Sequence, residues 1–447
     1  MKEIGPETQK ALQNFPLSGE LLDIHLIKAM AMVKLACCKT NVSLGYIAAD
    51  IGEAISTVCN EFIDGQHSDL IVIDPYQGGA GTSTNMNFNE VIASLASRLT
   101  ADVRVDELDH VNLHQSTNDV YPTAVKVAVL LRLKELETSV AILQEACQHK
   151  EQDFASIVKL GRTELMDAVP MTLGMEFGSY AEAFARDRWR IFKCKERIKT
   201  VNLGGTAIGT GLGAPRDYIM KVNEELKHIT GLSVSRSENL VDSTQNLDSF
   251  VEVSGILKAL AANLLKVAND LRLLASGPEG GLAEIELPER QKGSSMMPGK
   301  INPVIPEAIA QVALKVMSND SLIAIAAGLG NLELNQYLPL ISHTILNSLK
   351  LLTNASTIFA EKCITGIRAN PANCLKHLMN SKSIGTYLLP KFGYDVMEEI
   401  IMAAVEERKT IREIILERKL LTAGQFESLF QPQRMYKLGY TKEDYQD

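Results

Sequence analysis

The chain has 447 residues, about three times a typical domain, so two or three folding units with ample buried core are expected. Hydrophobic residues make up 46%, charged residues 22%, and the net charge is −9. That acidic balance argues against nucleic acid or an anionic membrane as the main partner, because both reward clustered Lys and Arg. A local basic pocket for a small acidic ligand stays allowed.

In chain order, residues 1–115 read as short helices and Gly-rich turns, with one candidate strand at "DLIVID" (69–74). The N-terminus lacks the apolar stretch of a signal peptide, and no uninterrupted apolar run of about eighteen residues occurs; a cytoplasmic location is the expectation. Seven cysteines, Cys37, Cys38, Cys59, Cys147, Cys194, Cys363 and Cys374, are odd in number and form no Cys-x-x-Cys. They read as reduced, mostly buried small residues.

Helical periodicity dominates the middle. Apolar residues recur every three or four positions over 122–150, 251–277 and 303–328. They spread over more than one face, so each helix should touch several neighbours, partner copies included. After "CITGIRANPANC" the pattern shortens to small helices and turns. The resulting layout is mostly α in three parts: a domain over 1–115, a central helical bundle over 116–365 and a small helical domain over 366–447.

Four polar islands interrupt this rhythm: "QGGAGTSTNMNFNE" (77–90), "HQSTNDVYPTA" (114–124), "GRTELMDAVP" (161–170) and "KGSSMMPGKINPVIPE" (292–307). Two readings stand for each. Ser, Thr and Asn cap helices, and glycine serves turns. The same hydroxyls, with free amides at helix starts, also donate to carboxylates or phosphates. Four islands of one chemistry, one carrying Lys300, weigh toward an anionic ligand. Competing motifs are weak. "GTGLG" (209–213) lacks the surroundings of a phosphate loop, His110 and His114 have no glutamate placed for a zinc helix, and His343 and His377 read as structural.

The loop "GSSMMPGKINP" (293–303) resembles the signature loop of the fumarase/aspartase superfamily. The other islands follow in that superfamily's order, as do "NLGGTAIGTGL" (202–212), "NDLRLLASGP" (269–278), "LTNASTIFAEKCITGI" (352–367) and "ILERKLL" (415–421). The resemblance covers nearly the whole chain and is strongest to the aspartases. It implies a mostly α, three-domain homotetramer with a core of about twenty helices. Active sites would be shared between subunits, and no organic cofactor would be needed; some aspartases respond to divalent metal, but the sequence offers no metal-ligand constellation.

The resemblance also implies a reaction, the reversible deamination of aspartate to fumarate and ammonia. A proton leaves the carbon beside a carboxylate that is already negative, giving a dianionic aci-carboxylate that the enzyme must hold better than the substrate. Prearranged amides and hydroxyls do this in the manner of an oxyanion hole. By matching positions, Ser294 is the base, acting as an alkoxide. Ser295, the amides around Met296, Ser116 and Thr117 hold the polarised carboxylate. Lys300, Asn302 and Thr163 hold the other one, and Thr82 and Asn118 face the amino group.

The chain departs from the family after "GRT", where fumarases carry histidine and aspartases histidine or glutamine. Here the residue is Glu164, and the family's partner glutamate corresponds to Glu307. An acid at 164 suits a cationic leaving group and offers nothing to the neutral hydroxyl of malate. The alternative is a structural carboxylate. Rival functions are fumarate hydratase, a lyase releasing a substituted amine, and a catalytically silent crystallin-like protein, the last disfavoured by intact Ser294, Lys300 and Asn302.

Overall fold

The computed structural model describes residues 4–100 and 103–445; residues 1–3, 101–102, 446 and 447, where the outer domain limits and the N-terminus read from sequence also fall, lie outside the described residues. The fold is mostly α. Two compact units divide the chain: Met1–Ser139, Asp187–Ala262 and Val312–Asn354 form the first, and Val140–Arg186, Asn263–Gln311 and Ala355–Asp447 the second.

The chain opens with helices α1 (Pro6–Asn14), α2 (Ile24–Ser43), α3 (Ala49–Ile63) and α4 (Thr82–Ala96). Asp23 caps α2 by accepting the His25 N–H, and Glu90 of α4 fastens α1 through the amides of Glu7 and Thr8. The expected strand at 69–74 is absent. Ser68–Leu70 form a short 3-10 turn, and the next residues run irregularly because side chains take their backbone bonds. Asn87 accepts from Val72 N and donates to Leu70 O, while Ile71 and Ile73 are still buried.

Helix α5 (Thr117–Asp153) begins five residues before the sequence pattern predicts and carries Pro122 inside it. Proline has no N–H for the Asn118 carbonyl one turn back, and the Asn202 side chain donates to that carbonyl instead, at 2.9 Å. The hairpin β1 (Val158–Thr163) and β2 (Met166–Thr172) follows, with Thr163 opposite Met166 and a bulge between Leu160 and Arg162. The sequence reading takes this segment as a polar island at a helix end.

Next come α6 (Leu173–Ile198), α7 (Arg216–Thr230), α8 (Leu240–Gln245), α9 (Asp248–Leu274), α10 (Val304–Gly328) and α11 (Leu338–Lys362). Helices α9 and α10 match the expected periodic segments to within three residues. By length and composition α10 is apolar enough to cross a bilayer, although Glu307, Lys315 and Asp320 interrupt it and Asp320 is bonded by Ser254 and Lys258. Leu314, Leu322, Ile325 and Leu329 stand exposed.

The C-terminal helices α12 (Pro371–Asn380), α13 (Ile384–Phe392), α14 (Tyr394–Glu406), α15 (Ile411–Glu417), α16 (Ala423–Leu429) and α17 (Pro432–Met435) are short, as expected. Leu378, Leu388, Ile400, Ile414 and Phe426 form their apolar core, with Leu160 of β1. All seven cysteines are buried and free, and burial pushes thiols such as Cys37 up to about 12.

Candidate active site

In the first unit, α4 and α5 bring two islands together. Gly81 has φ +101°, and a Cβ there would meet the Tyr121 ring at 2.6 Å, so only glycine lets α4 start at this point. Thr82 is exposed and donates to Gly79 O at 2.8 Å. One turn on, the buried Asn85 donates through Nδ2 to Thr117 Oγ1 at 3.2 Å and to Asn112 Oδ1 at 3.1 Å. Thr117 therefore has an occupied lone pair and a proton to give.

Ser116 and Asn118 are held just as closely. The Ser116 N–H donates to Asp119 Oδ1 at 3.0 Å, and Ser116 Oγ accepts the Asn118 N–H at 3.2 Å. The Asn118 side-chain amide donates to Ala207 O at 2.8 Å. Asp119, which the sequence reading missed, is fully buried, and its other oxygen accepts the amides of Gly204 and Thr206 at 3.0 and 3.1 Å. It thus ties "QSTND" to "NLGGT". Burial pushes its carboxyl up to about 6, against the pull of those three N–H donors.

In the second unit, the loop 293–302 is closed on itself. Gly293 N donates to Lys300 O at 2.9 Å, and Asn302 Nδ2 donates to Gly293 O at 2.5 Å. A Cβ on Gly293 would fall 2.3 Å from Lys300 O, so this approach requires glycine. Inside the loop, Ser294 Oγ accepts the N–H of Met296 at 3.1 Å and of Met297 at 2.9 Å. Two amides aimed at one hydroxyl oxygen favour its ionised form. They also mean that the amides read from sequence as holding substrate carboxylate are directed at Ser294. Ser295, Met296 and Lys300 are exposed, and the Lys300 ammonium has no ion-pair partner among the described residues.

Thr163 and Glu164 occupy the tip of the β1–β2 hairpin, where Glu164 and Leu165 have φ of +55° and +65°. Both Thr163 and Glu164 are exposed. Glu307 is half-buried in the first turn of α10, and among the described residues no side-chain hydrogen bond or ion pair joins it to Glu164 or joins either to the serine loop. Behind the hairpin, Glu284 is wholly buried and is paired with Arg162 at 2.7 Å, Lys159 at 2.9 Å and His377 at 2.9 Å. Burial pushes Glu284 up, but the bond from Arg162, the charge of Lys159 and the His377 hydrogen bond outweigh it and hold the carboxyl below its usual range. His343 pairs with Glu20, His110 accepts the Asp106 N–H, and His114 bonds Asn41.

Residues 3–318 match the Lyase family model and residues 384–437 the model for the fumarase C C-terminus. The protein is an enzyme of the lyase class. It belongs to the fumarase/aspartase superfamily. Its relatives include the aspartate ammonia-lyase of Helicobacter pylori, 42% identical over 96% of this chain and 94% of that protein. The class II fumarate hydratase of Mycobacterium tuberculosis is 44% identical over 93% of this chain and 88% of its own length. Among solved structures, the fumarate lyase:delta crystallin from Brucella melitensis bound to cobalt superposes with a TM-score of 0.93 at 42% identity, covering 98% of this chain and 96% of that one.

Proposed function

We propose that this chain is a cytoplasmic aspartate ammonia-lyase that interconverts L-aspartate with fumarate and ammonia. The observation that carries the reading is Ser294 Oγ with two amide donors at 2.9 and 3.1 Å inside a glycine-tightened loop. A serine is a useful base only when its anion is stabilised in place. In the proposed reaction the Ser294 alkoxide takes a proton from C3, and the electron pair moves into the C4 carboxylate, which becomes a dianion. That pair then returns to form the C2–C3 double bond, and the C2–N bond breaks, with its electrons leaving on ammonia.

In this reading Ser116, Thr117, Ser295 and the loop around Met296 hold the dianionic carboxylate. Lys300, Asn302 and Thr163 hold the other carboxylate, while Thr82 and Asn118 face the amine. Glu164, exposed and unpaired among the described residues, meets the substrate ammonium that departs as ammonia, with Glu307 in support. No cofactor is invoked.

The family layout supports domains over 1–115, 116–365 and 366–447, assembled as a homotetramer whose protomers share sites. The exposed apolar residues of α10 suit such packing. Seven free, buried cysteines suit a reducing compartment.

The 44% identity to a class II fumarase favours a second reading, hydration of fumarate to malate. A silent structural role is disfavoured by the intact loop, in which Ser294, Lys300 and Asn302 are all present. Following fumarate absorbance with aspartate, malate and N-substituted aspartates separates these. Aspartate turnover well above malate turnover supports the proposal, and the reverse order overturns it.

A further inference from the structure

Lys34 lies in the middle of α2, within "AMVKLACC", and is 1% exposed. Its ammonium donates to Asn112 Oδ1 at 3.0 Å and Gln115 Oε1 at 2.8 Å, and among the described residues no carboxylate stands within ion-pair range of it. A buried lysine is ordinarily paired with an acid, because taking a bare charge out of water is costly. Burial draws this one down to about 8, with Asp119 a more distant source of opposite charge. The adjoining thiols of Cys37 and Cys59, raised by burial, stay neutral and do not compensate it.

The bonds beyond Lys34 lead to the first unit's candidate site residues. Asn112 Oδ1 collects three donors, Lys34 Nζ and the side-chain amides of Asn85 at 3.1 Å and Asn89 at 3.2 Å. Asn85 Nδ2 also donates to Thr117 Oγ1, and Gln115, the other acceptor of Lys34, immediately precedes Ser116. The Oδ1 atoms of Asn85 and Asn89 are buried with no partner among the described residues. Two orphaned amide oxygens and a carboxylate-free ammonium are poor choices for a purely structural core, which apolar residues would fill without desolvating a charge.

We propose that Lys34, Asn112 and Asn85 form a positioning relay that turns the Thr117 hydroxyl proton toward the substrate and places a buried positive charge behind Ser116 and Thr117, where the second negative charge of the aci-carboxylate develops. This rests on the elimination chemistry proposed above. The relay holds a hydroxyl whose lone pair is already occupied, so its proton faces outward, and its charge favours the dianion over the singly charged ground-state carboxylate.

The test uses the full-length protein with Lys34→Met and Asn112→Asp. Asn112→Asp keeps an acceptor for Lys34, Asn85 and Asn89 but sets a negative charge against the ammonium. Probes are aspartate turnover, inhibition by succinate as the ground-state dicarboxylate, and inhibition by 3-nitropropionate, whose nitronate dianion copies the aci-carboxylate. A unit charge acting through two layers of side chains at an effective dielectric near 20 corresponds to roughly 30-fold in rate.

Both variants are expected to lose about 30-fold in kcat, and about 30-fold more affinity for the nitronate than for succinate, because the lost charge acts on two negative charges of the dianion and on one of the ground state. A folded variant that keeps parent kcat and nitronate affinity overturns the relay, as does an equal loss for nitronate and succinate. If Lys34→Met fails to fold, Asn112→Asp decides. A parent protein that turns over neither aspartate nor malate and does not bind the nitronate overturns the functional reading itself.

Discussion

The backbone N–H of Met297 points at the Oγ of Ser294 from 2.9 Å, three residues along the same loop. With the Met296 N–H it makes a two-donor cradle for a serine oxygen, and Pro298 and the left-handed Gly299 close the turn behind it. The loop is rich in glycine and proline because its backbone must double back close enough for its own amides to reach its own side chain.

That cradle is open to a backbone test. Met297→Pro deletes one N–H, whereas Met297→Ala keeps it. Loss of one oxyanion-type donor costs roughly 100-fold or more in rate. We expect Met297→Pro to lower kcat/KM for aspartate by about that much and to move the acid limb of the pH profile upward, because a less stabilised alkoxide is harder to form. Met297→Ala should stay near the parent on both measures.

Glu164 distinguishes a cationic from a neutral leaving group. Glu164→Gln keeps the size of the side chain and removes its charge. An ionic hydrogen bond of roughly 2 kcal/mol corresponds to about 30-fold. Aspartate turnover should fall by about that factor, with any malate turnover unchanged. Unchanged aspartate kinetics remove Glu164 from the mechanism.

Acid stability has a local contributor in Asp23. Burial pushes its carboxyl up, but the bonds from His25 and Arg132 outweigh burial and hold it at about 2, below the ordinary 3.8. The unfolded chain therefore binds the proton more readily, so this stabilisation is present above pH 3.8 and is lost as pH falls through about 2. Asp23→Asn should lower unfolding free energy near pH 7 by roughly 2 kcal/mol, measured by urea titration, and the gap from the parent should close toward pH 2.

Sequence pattern made the long helices legible because apolar spacing is a property of a single segment. The runs at 251–277 and 303–328 became α9 and α10 with small shifts. Segments whose structure depends on distant partners were harder to read. The apolar run at 69–74 looks like a strand until Asn87 takes its backbone bonds. The hairpin over 158–172 is short, polar at its tip and interrupted by Pro170, so it carries little alternation. Among site residues, Ser294 and Lys300 stood out through an unusual loop composition. Lys34, Asn112 and Asp119 did not, because their partners lie far along the chain. Two signals were nonetheless present: a single lysine inside the apolar run of α2, and asparagines at 85 and 89, one helical turn apart.

The proposed elimination depends on the side-chain oxygen of Ser294. Fumarate formation from aspartate should be followed by ultraviolet absorbance in the parent and in Ser294→Ala, with thermal melts showing that both are folded. Removing a positioned base typically costs 10²–10⁴-fold, so a loss of roughly 10³-fold in kcat is predicted, with little change in the melt. Aspartate turnover by Ser294→Ala at the parent rate would contradict it.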